Sequence, residues 1–230
     1  MTNILTVFTL LFFSACFVQA QASFVNLGFE SANLTPIPQG QFGTFVPISQ
    51  ALPGWMRFLG TNPVSSVLQN NYALGSPNIS IFGPNWTTAQ GIIEGQYTVL
   101  LQGGVGSGDT SLLQTGLVPI GSQSLRFKAS GGNNFPVNFT VSLSGQQLSP
   151  LPLSSGPNYT LYGADISAFS GQAGELKFTA LSYTIGPNNL LLDSIVFSPI
   201  PVPEPAPIAL LTLAVAMLFL CTRFRRRPVK

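Results

Sequence analysis

Ser124-Leu125-Arg126-Phe127-Lys128-Ala129 decides the fold, because Leu125, Phe127 and Ala129 fall on one side of an extended chain and Arg126 and Lys128 on the other. Successive side chains of a strand point to opposite faces, so this stretch reads as a strand with one buried and one wet face. Val137-Asn138-Phe139-Thr140-Val141-Ser142-Leu143 and Leu176-Lys177-Phe178-Thr179-Ala180 repeat the pattern. Working outward, strands are expected at 97–102, 111–115, 124–129, 137–143, 159–162, 175–181 and 190–197. Between them lie Gly103-Gly104, Gly131-Gly132-Asn133-Asn134, Ser144-Gly145, Ser154-Ser155-Gly156-Pro157-Asn158 and Gly186-Pro187-Asn188-Asn189, which supply turn chemistry. Strands at this spacing imply an all-β sandwich or barrel, and two inward faces to pack favour the sandwich.

Composition agrees. Only 7% of the 230 residues are charged, and there are 23 glycines, 19 prolines and 18 phenylalanines, a mixture for short strands and tight turns rather than amphipathic helices. Between residues 22 and 200 the basic residues are Arg57, Arg126, Lys128 and Lys177. The acidic ones are Glu30, Glu94, Asp109, Asp165, Glu175 and Asp193, so four against six leaves −2. A nucleic-acid footprint needs clustered Lys and Arg, and the body has none. The chain has no histidine, which excludes Ser-His-Asp triads, Cys-His pairs and His-ligated zinc. Its two cysteines, Cys16 and Cys221, lie outside the body, which therefore has no disulfide.

Both ends are apolar. Residues 4–18 form an almost unbroken hydrophobic run followed by Ala20-Gln21-Ala22, a small-x-small cleavage site, so residues 1–22 read as a signal peptide. Lipidation at Cys16 and a retained anchor helix are the competing readings. Residues 23–200 form the ectodomain. The tail, 201–230, runs Pro201-Val202-Pro203-Glu204-Pro205, an uncharged stretch over 206–222, then Arg223, Arg225, Arg226 and Arg227. As a helix that stretch spans roughly 25 Å, near the lower limit for one transmembrane crossing. The arginine cluster belongs on the cytoplasmic side, which places the body outside the membrane.

This tail resembles the PEP-CTERM sorting signal of exosortase substrates. The resemblance implies that Pro203, Glu204 and Pro205 are the sorting motif for an exosortase-type processing enzyme. It further implies release from the membrane-anchored helix into the cell envelope or an extracellular exopolysaccharide matrix. The alternative is an ordinary tail anchor flanked by proline.

The body carries Asn26-Leu27-Gly28-Phe29-Glu30 at its start, Leu52-Pro53-Gly54-Trp55, and Leu191-Leu192-Asp193-Ser194-Ile195-Val196-Phe197-Ser198 at its close. In this order the motifs resemble the galactose-binding-like jelly rolls of carbohydrate-binding modules. Leu27-Gly28 departs from the family's Asn-Gly-x-Phe-Glu opening, and Asp193-Ser194 from its closing Asp-Asp or Asp-Asn pair. The resemblance implies a jelly-roll-like β-sandwich and a structural Ca²⁺ held by Glu30 and Asp193, since a hard cation takes oxygen ligands. The other reading of these two residues is ordinary capping or turn hydrogen bonding.

Glycoside hydrolysis needs paired carboxylates about 5 to 9.5 Å apart, and the six acids of the body are scattered singly along the chain. No enzyme is expected. Trp86, in Gly83-Pro84-Asn85-Trp86-Thr87-Thr88-Ala89-Gln90, and less so Trp55 are candidates for stacking a sugar ring, while Trp55 after Pro53-Gly54 also suits a plug in the sandwich end. The leading expectation is an exported non-enzymatic envelope or matrix protein. Its runner-up is a carbohydrate-binding module that recognises a polysaccharide through loop aromatics.

Overall fold

The computed structural model describes residues 22–86, 91–131 and 137–203, and these form two β-sheets packed face to face. The strands are β1 (Phe45–Pro47), β2 (Met56–Leu59), β3 (Asn62–Val64), β4 (Ser66–Gln69), β5 (Asn78–Phe82), β6 (Thr98–Gly103), β7 (Thr110–Leu117), β8 (Ser124–Gly131), β9 (Phe139–Leu143), β10 (Gln146–Gln147), β11 (Leu151–Ser155), β12 (Thr160–Asp165), β13 (Ala173–Ala180) and β14 (Asn188–Ser198). One sheet has the order β1-β4-β5-β6-β14-β8-β12-β11, the other β10-β9-β13-β7-β2-β3. All pairs are antiparallel except β4 with β5, where Leu68 lies beside Ser80.

The expected alternation organises the core. Leu125, Phe127 and Ala129 of β8 point inward with Val99 and Leu101 of β6 and Leu190 and Leu192 of β14. They meet Leu112 of β7, Val141 and Leu143 of β9, and Leu176 and Phe178 of β13. The Phe127 and Phe178 rings pack edge to face, centroids 5.1 Å apart, joining the sheets at the centre. Aromatic pairs favour this geometry because the positive ring edge meets a negative face.

The middle of the larger sheet is buried on both sides. Leu100, Leu191, Phe82 and Ile93 form a second cluster on its outer surface, covered by Tyr72, Trp86, Ile92 and Tyr159. A strand buried on both faces reads as a continuous apolar run, as Leu190-Leu191-Leu192 does. The seven expected strands correspond to β6, β7, β8, β9, β12, β13 and β14. Strands β1 to β5, β10 and β11 are additions. Ser154 and Ser155, expected in a turn, end β11.

Strand β14 bulges between Asp193 and Val196, where Ser194 adopts a left-handed φ of 49° and the pairing with β8 shifts register. A bulge re-aims side chains and ends local pairing. Here Ile195 turns its N–H to the Leu27 carbonyl at 3.0 Å, tying the opening motif to the closing one.

Candidate functional site

At the far end of β8 the two sheets part around a hollow of about 300 Å³, a size within the usual range for small-ligand pockets. Its inner wall is aromatic and aliphatic. Tyr162 stacks on Phe127 with centroids 5.5 Å apart and an interplanar angle of 16°, and it meets Phe139 edge-on at 5.5 Å. Ser130, Ser155, Asn158 and Thr160 contribute the polar lining. The β11–β12 turn shapes this rim. Gly156 donates its N–H to the Tyr159 carbonyl at 2.8 Å, and a Cβ on Gly156 would overlap the Tyr159 ring. Asn158 reaches the Ile92 carbonyl at 3.0 Å, pinning the turn to the neighbouring loop. Lys128 sits over the Tyr159 ring at 4.9 Å and pairs with Glu94 at 2.7 Å. Among the described lining residues none is acidic. Aromatic faces with hydroxyl and amide groups suit a neutral, polyhydroxylated ligand.

Neither tryptophan lies in this hollow. Trp55 is buried, donates its indole N–H to the Asn26 carbonyl at 3.0 Å, and packs against Phe29 at 5.7 Å, so it is the plug that its sequence position allowed. Trp86 is half-buried, and one face stacks on Phe82 at 4.3 Å with an interplanar angle of 8°. Tyr72 and Phe42 flank it at 5.3 and 6.3 Å. Its ring thus caps the outer cluster. The hollow's aromatics, Phe139, Tyr159 and Tyr162, were read from sequence only as strand residues. The signal available is Tyr159 directly after the Gly156-Pro157-Asn158 turn, with Tyr162 three residues further on.

The acids do not stay scattered. Because the opening and closing motifs meet, Glu30, Glu94 and Asp193 all gather around the loop of residues 93–98. Glu30 accepts the N–H of Gln96 at 3.1 Å on both oxygens and that of Tyr97 at 3.2 Å. Asp193 accepts the Glu94 N–H at 3.1 Å, the Thr98 hydroxyl at 2.7 Å and the Ser194 N–H at 2.7 Å. Burial pushes the Asp193 carboxyl up to about 6; hydrogen bonds from Thr98, Ser194 and Glu94 pull the other way, and the nearby Glu30 charge adds to the rise. Glu94 is held below the usual carboxylate range by hydrogen bonds from Lys128 and Ser194.

A carboxylate offers about four lone-pair sites, and three contacts occupy most of them on each of Glu30 and Asp193. Ca²⁺ requires six to eight oxygen ligands. Among the described residues no group of three or more His, Cys, Asp or Glu is placed to hold a metal. Glu30 and Asp193, the two carboxylates that the resemblance assigns to Ca²⁺, thus stand at one loop and accept N–H and O–H donors there.

The chain leaves the body along β8. Ser124 donates to the Ile200 carbonyl at 2.6 Å, and Arg126 donates to the carbonyls of Ile200 at 3.3 Å and Pro201 at 3.4 Å. Pro203 follows, exposed. Glu204, Pro205, the expected membrane span and Arg223, Arg225, Arg226 and Arg227 lie outside the described residues, as does the expected signal peptide through residue 21. Among the described residues no helix is long and apolar enough to cross a membrane.

No protein-family model matches the sequence, and no curated protein matches it. Among solved structures the chain is similar to TmCBM61, described in complex with β-1,4-galactotriose, at 12% identity and a TM-score of 0.43, over 76% of this chain and 97% of that one. It is also similar to the enzymatically active domain of bacteriophage CBA120 tailspike protein 4, at 12% identity and a TM-score of 0.37, over 62% of this chain and 19% of that one.

Proposed function

We propose that this chain is an exported, non-enzymatic glycan-binding module of the jelly-roll, galactose-binding-like kind, delivered to the cell envelope or an exopolysaccharide matrix by its PEP-CTERM-like tail. The observation that carries the binding reading is the hollow floored by Tyr162 and Phe139 and rimmed by Ser130, Ser155, Asn158 and Thr160. Its aromatic faces match the C–H face of a sugar ring, and its rim supplies hydroxyl and amide partners. A non-enzymatic role is supported by the chemistry of that lining, which among the described residues offers neither carboxylate nor imidazole.

Affinity electrophoresis of the full chain against a panel of neutral and acidic polysaccharides tests this. At least one glycan should be retained, and Tyr162→Leu should weaken its binding about ten-fold or more, the loss of one aromatic stacking platform. Retention of no glycan sinks the binding reading, and turnover of any glycan sinks the non-enzymatic one.

Sorting is supported by the Pro203-Glu204-Pro205 sequence and by the strap that fixes Ile200 and Pro201 to β8. Cleavage beyond Pro203 would leave that strap intact. Mass spectrometry of released protein should find a C-terminus at residues 203–205. A released form that still carries Arg227 contradicts sorting.

A further inference from the structure

Ile120 is 90% exposed at the corner of a braced turn. Ser122 donates its N–H to the Pro119 carbonyl at 3.2 Å, and Gly121 takes the φ of 84° that a type II turn needs at its third residue. The Ser122 hydroxyl donates to the same carbonyl at 2.7 Å. Gly121 donates its N–H to the Ser170 hydroxyl at 2.7 Å, and Gly171 donates to the Val118 carbonyl at 3.1 Å. The turn is thus held from both sides and presents Ile120 outward. Ile200, 58% exposed, lies at the same end of the sandwich, where Ser124, on the strand after the turn, donates its hydroxyl to the Ile200 carbonyl. The segments that meet there, 117–123, 166–173 and 198–203, contain no charged residue, and Asp165 and Arg126 border them.

Both apolar runs of the chain join the body at this end. The Ala22 carbonyl accepts the Leu117 N–H at 2.9 Å, and only residues 19–21 separate Ala22 from the run 4–18. At the other terminus Ile200 and Pro201 are strapped to β8, and Val202 lies against Gly163 near the end of β12. Only Glu204 and Pro205 separate Pro203 from the uncharged stretch 206–222. A chain covers at most about 3.5 Å per residue, so residue 206 stands within about 11 Å of Pro203 and residue 18 within about 14 Å of Ala22. The polar layer on each side of a bilayer's hydrocarbon core is about 5 to 8 Å deep. A run that enters lipid therefore holds this end of the body at headgroup level. A protein partner fits less well: two aliphatic side chains fall far short of the roughly 800 Å² that each partner of a stable interface buries, whereas a lipid layer needs no complementary shape.

We propose that this end is a lipid-docking face: while an apolar run anchors the chain, Ile120 and Ile200 lie in the interfacial layer of the membrane. This rests on the sorting reading above, in which the tail anchors the chain before release, and it is independent of the Tyr162 hollow. Two aliphatic side chains do not hold a free protein on a membrane, but a short tether supplies the effective concentration that a weak contact needs.

The test uses the full chain carrying Cys16→Ser and Cys221→Ser, reconstituted in phosphatidylethanolamine and phosphatidylglycerol vesicles. A fluorophore is placed on Ile120→Cys or, at the opposite end, on Ile185→Cys, which is 77% exposed just before β14. A nitroxide on the lipid headgroup should quench the label at 120 and leave that at 185 bright, and aqueous iodide should do the reverse. Both substitutions are at the surface and should leave the melting temperature unaltered. Ile120→Asp in a chain labelled at Ile200→Cys should relieve the nitroxide quenching there, because a carboxylate is expelled from the interfacial layer. Equal quenching of the 120 and 185 labels by iodide, with the chain on the vesicles, overturns the docking face and leaves the anchor standing. A chain that does not float with the vesicles takes down the anchored tail and the docking face together. Protection of the 120 label from iodide without quenching by the nitroxide lipid marks a protein neighbour, such as a second copy, and overturns the lipid assignment.

Discussion

Thr98 donates its hydroxyl to the Asp193 carboxylate at 2.7 Å, joining the start of β6 to β14 at the point where β14 bulges. Asp193 is 1% exposed, and burial raises its pKa from 3.8 to about 6. Between these values the folded chain holds a proton that the unfolded chain has released, so the fold gains stability as pH falls through 6 and loses it as pH rises. In the limit the effect is about 3 kcal/mol. Melting temperature should therefore rise from pH 7 to pH 5, and Asp193→Asn should flatten that slope. Glu94 and Asp165 are held below their ordinary values, so their contributions fade only at lower pH and leave this window clear. A wild-type melting temperature that is level between pH 5 and 7 contradicts the assignment.

Gly95 holds a φ of 63°, and a Cβ there would overlap the Glu30 carboxylate. Gly95→Ala should destabilise the fold by about 2 to 3 kcal/mol, part backbone strain and part collision. In a Glu30→Ala background the collision is gone, so the same substitution should then cost only about 1 kcal/mol. Equal costs in the two backgrounds, measured by denaturant titration, would separate Gly95 from the Glu30 clasp.

Trp86 and Tyr162 should divide stability from binding. Trp86 stacks on Phe82 over the outer cluster, so Trp86→Ala should lower stability by about 2 kcal/mol while leaving glycan affinity within about two-fold of wild type. Tyr162→Leu should do the converse, because leucine refills much of the volume but removes the ring face. A Trp86→Ala protein that keeps its melting temperature and loses glycan binding would move the site to the outer cluster.

Chelation addresses the Glu30 and Asp193 clasp. With most of their lone pairs taken by N–H and O–H donors, the two carboxylates should hold the fold without a divalent ion. Thermal melts in EDTA and in millimolar Ca²⁺ should coincide. A clear upward shift in calcium would mean that the ion displaces those donors.

Much of the sheet framework was legible because of period-two alternation. Leu125, Phe127 and Ala129 declared their common face, and so did Leu176, Phe178 and Ala180. The strands before residue 97 were not legible. Those of three or four residues hold too few alternations to register, Pro47 and Pro63 argue locally against pairing, and Asn78-Ile79-Ser80-Ile81-Phe82 is buried throughout. Prolines in β1 and β3 are tolerated because both are edge strands. The site was less visible still. Tyr162 lies beside Phe139 only because β12 of the larger sheet and β9 of the smaller pack against one core, and Glu30 comes near Asp193 only because the two ends of the body close on one loop. Contacts between residues so far apart in sequence leave no local period. The burial of Arg57 was not legible either: it is one cation in a run of apolar residues, Trp55-Met56-Arg57-Phe58-Leu59, and no pattern declares it.

The strap of Ser124 and Arg126 onto Ile200 and Pro201 has a geometric corollary. Strand β8 leaves that strap at Ser124 and arrives at the Tyr162 hollow with Gly131, about 23 Å away at roughly 3.3 Å per residue. Ala22, whose carbonyl accepts the Leu117 N–H, enters beside the same pole as the exit. Tethered by its trailing segment, the molecule would hold its grip aloft, like a hand on a short wrist, with the palm turned away from the supporting surface.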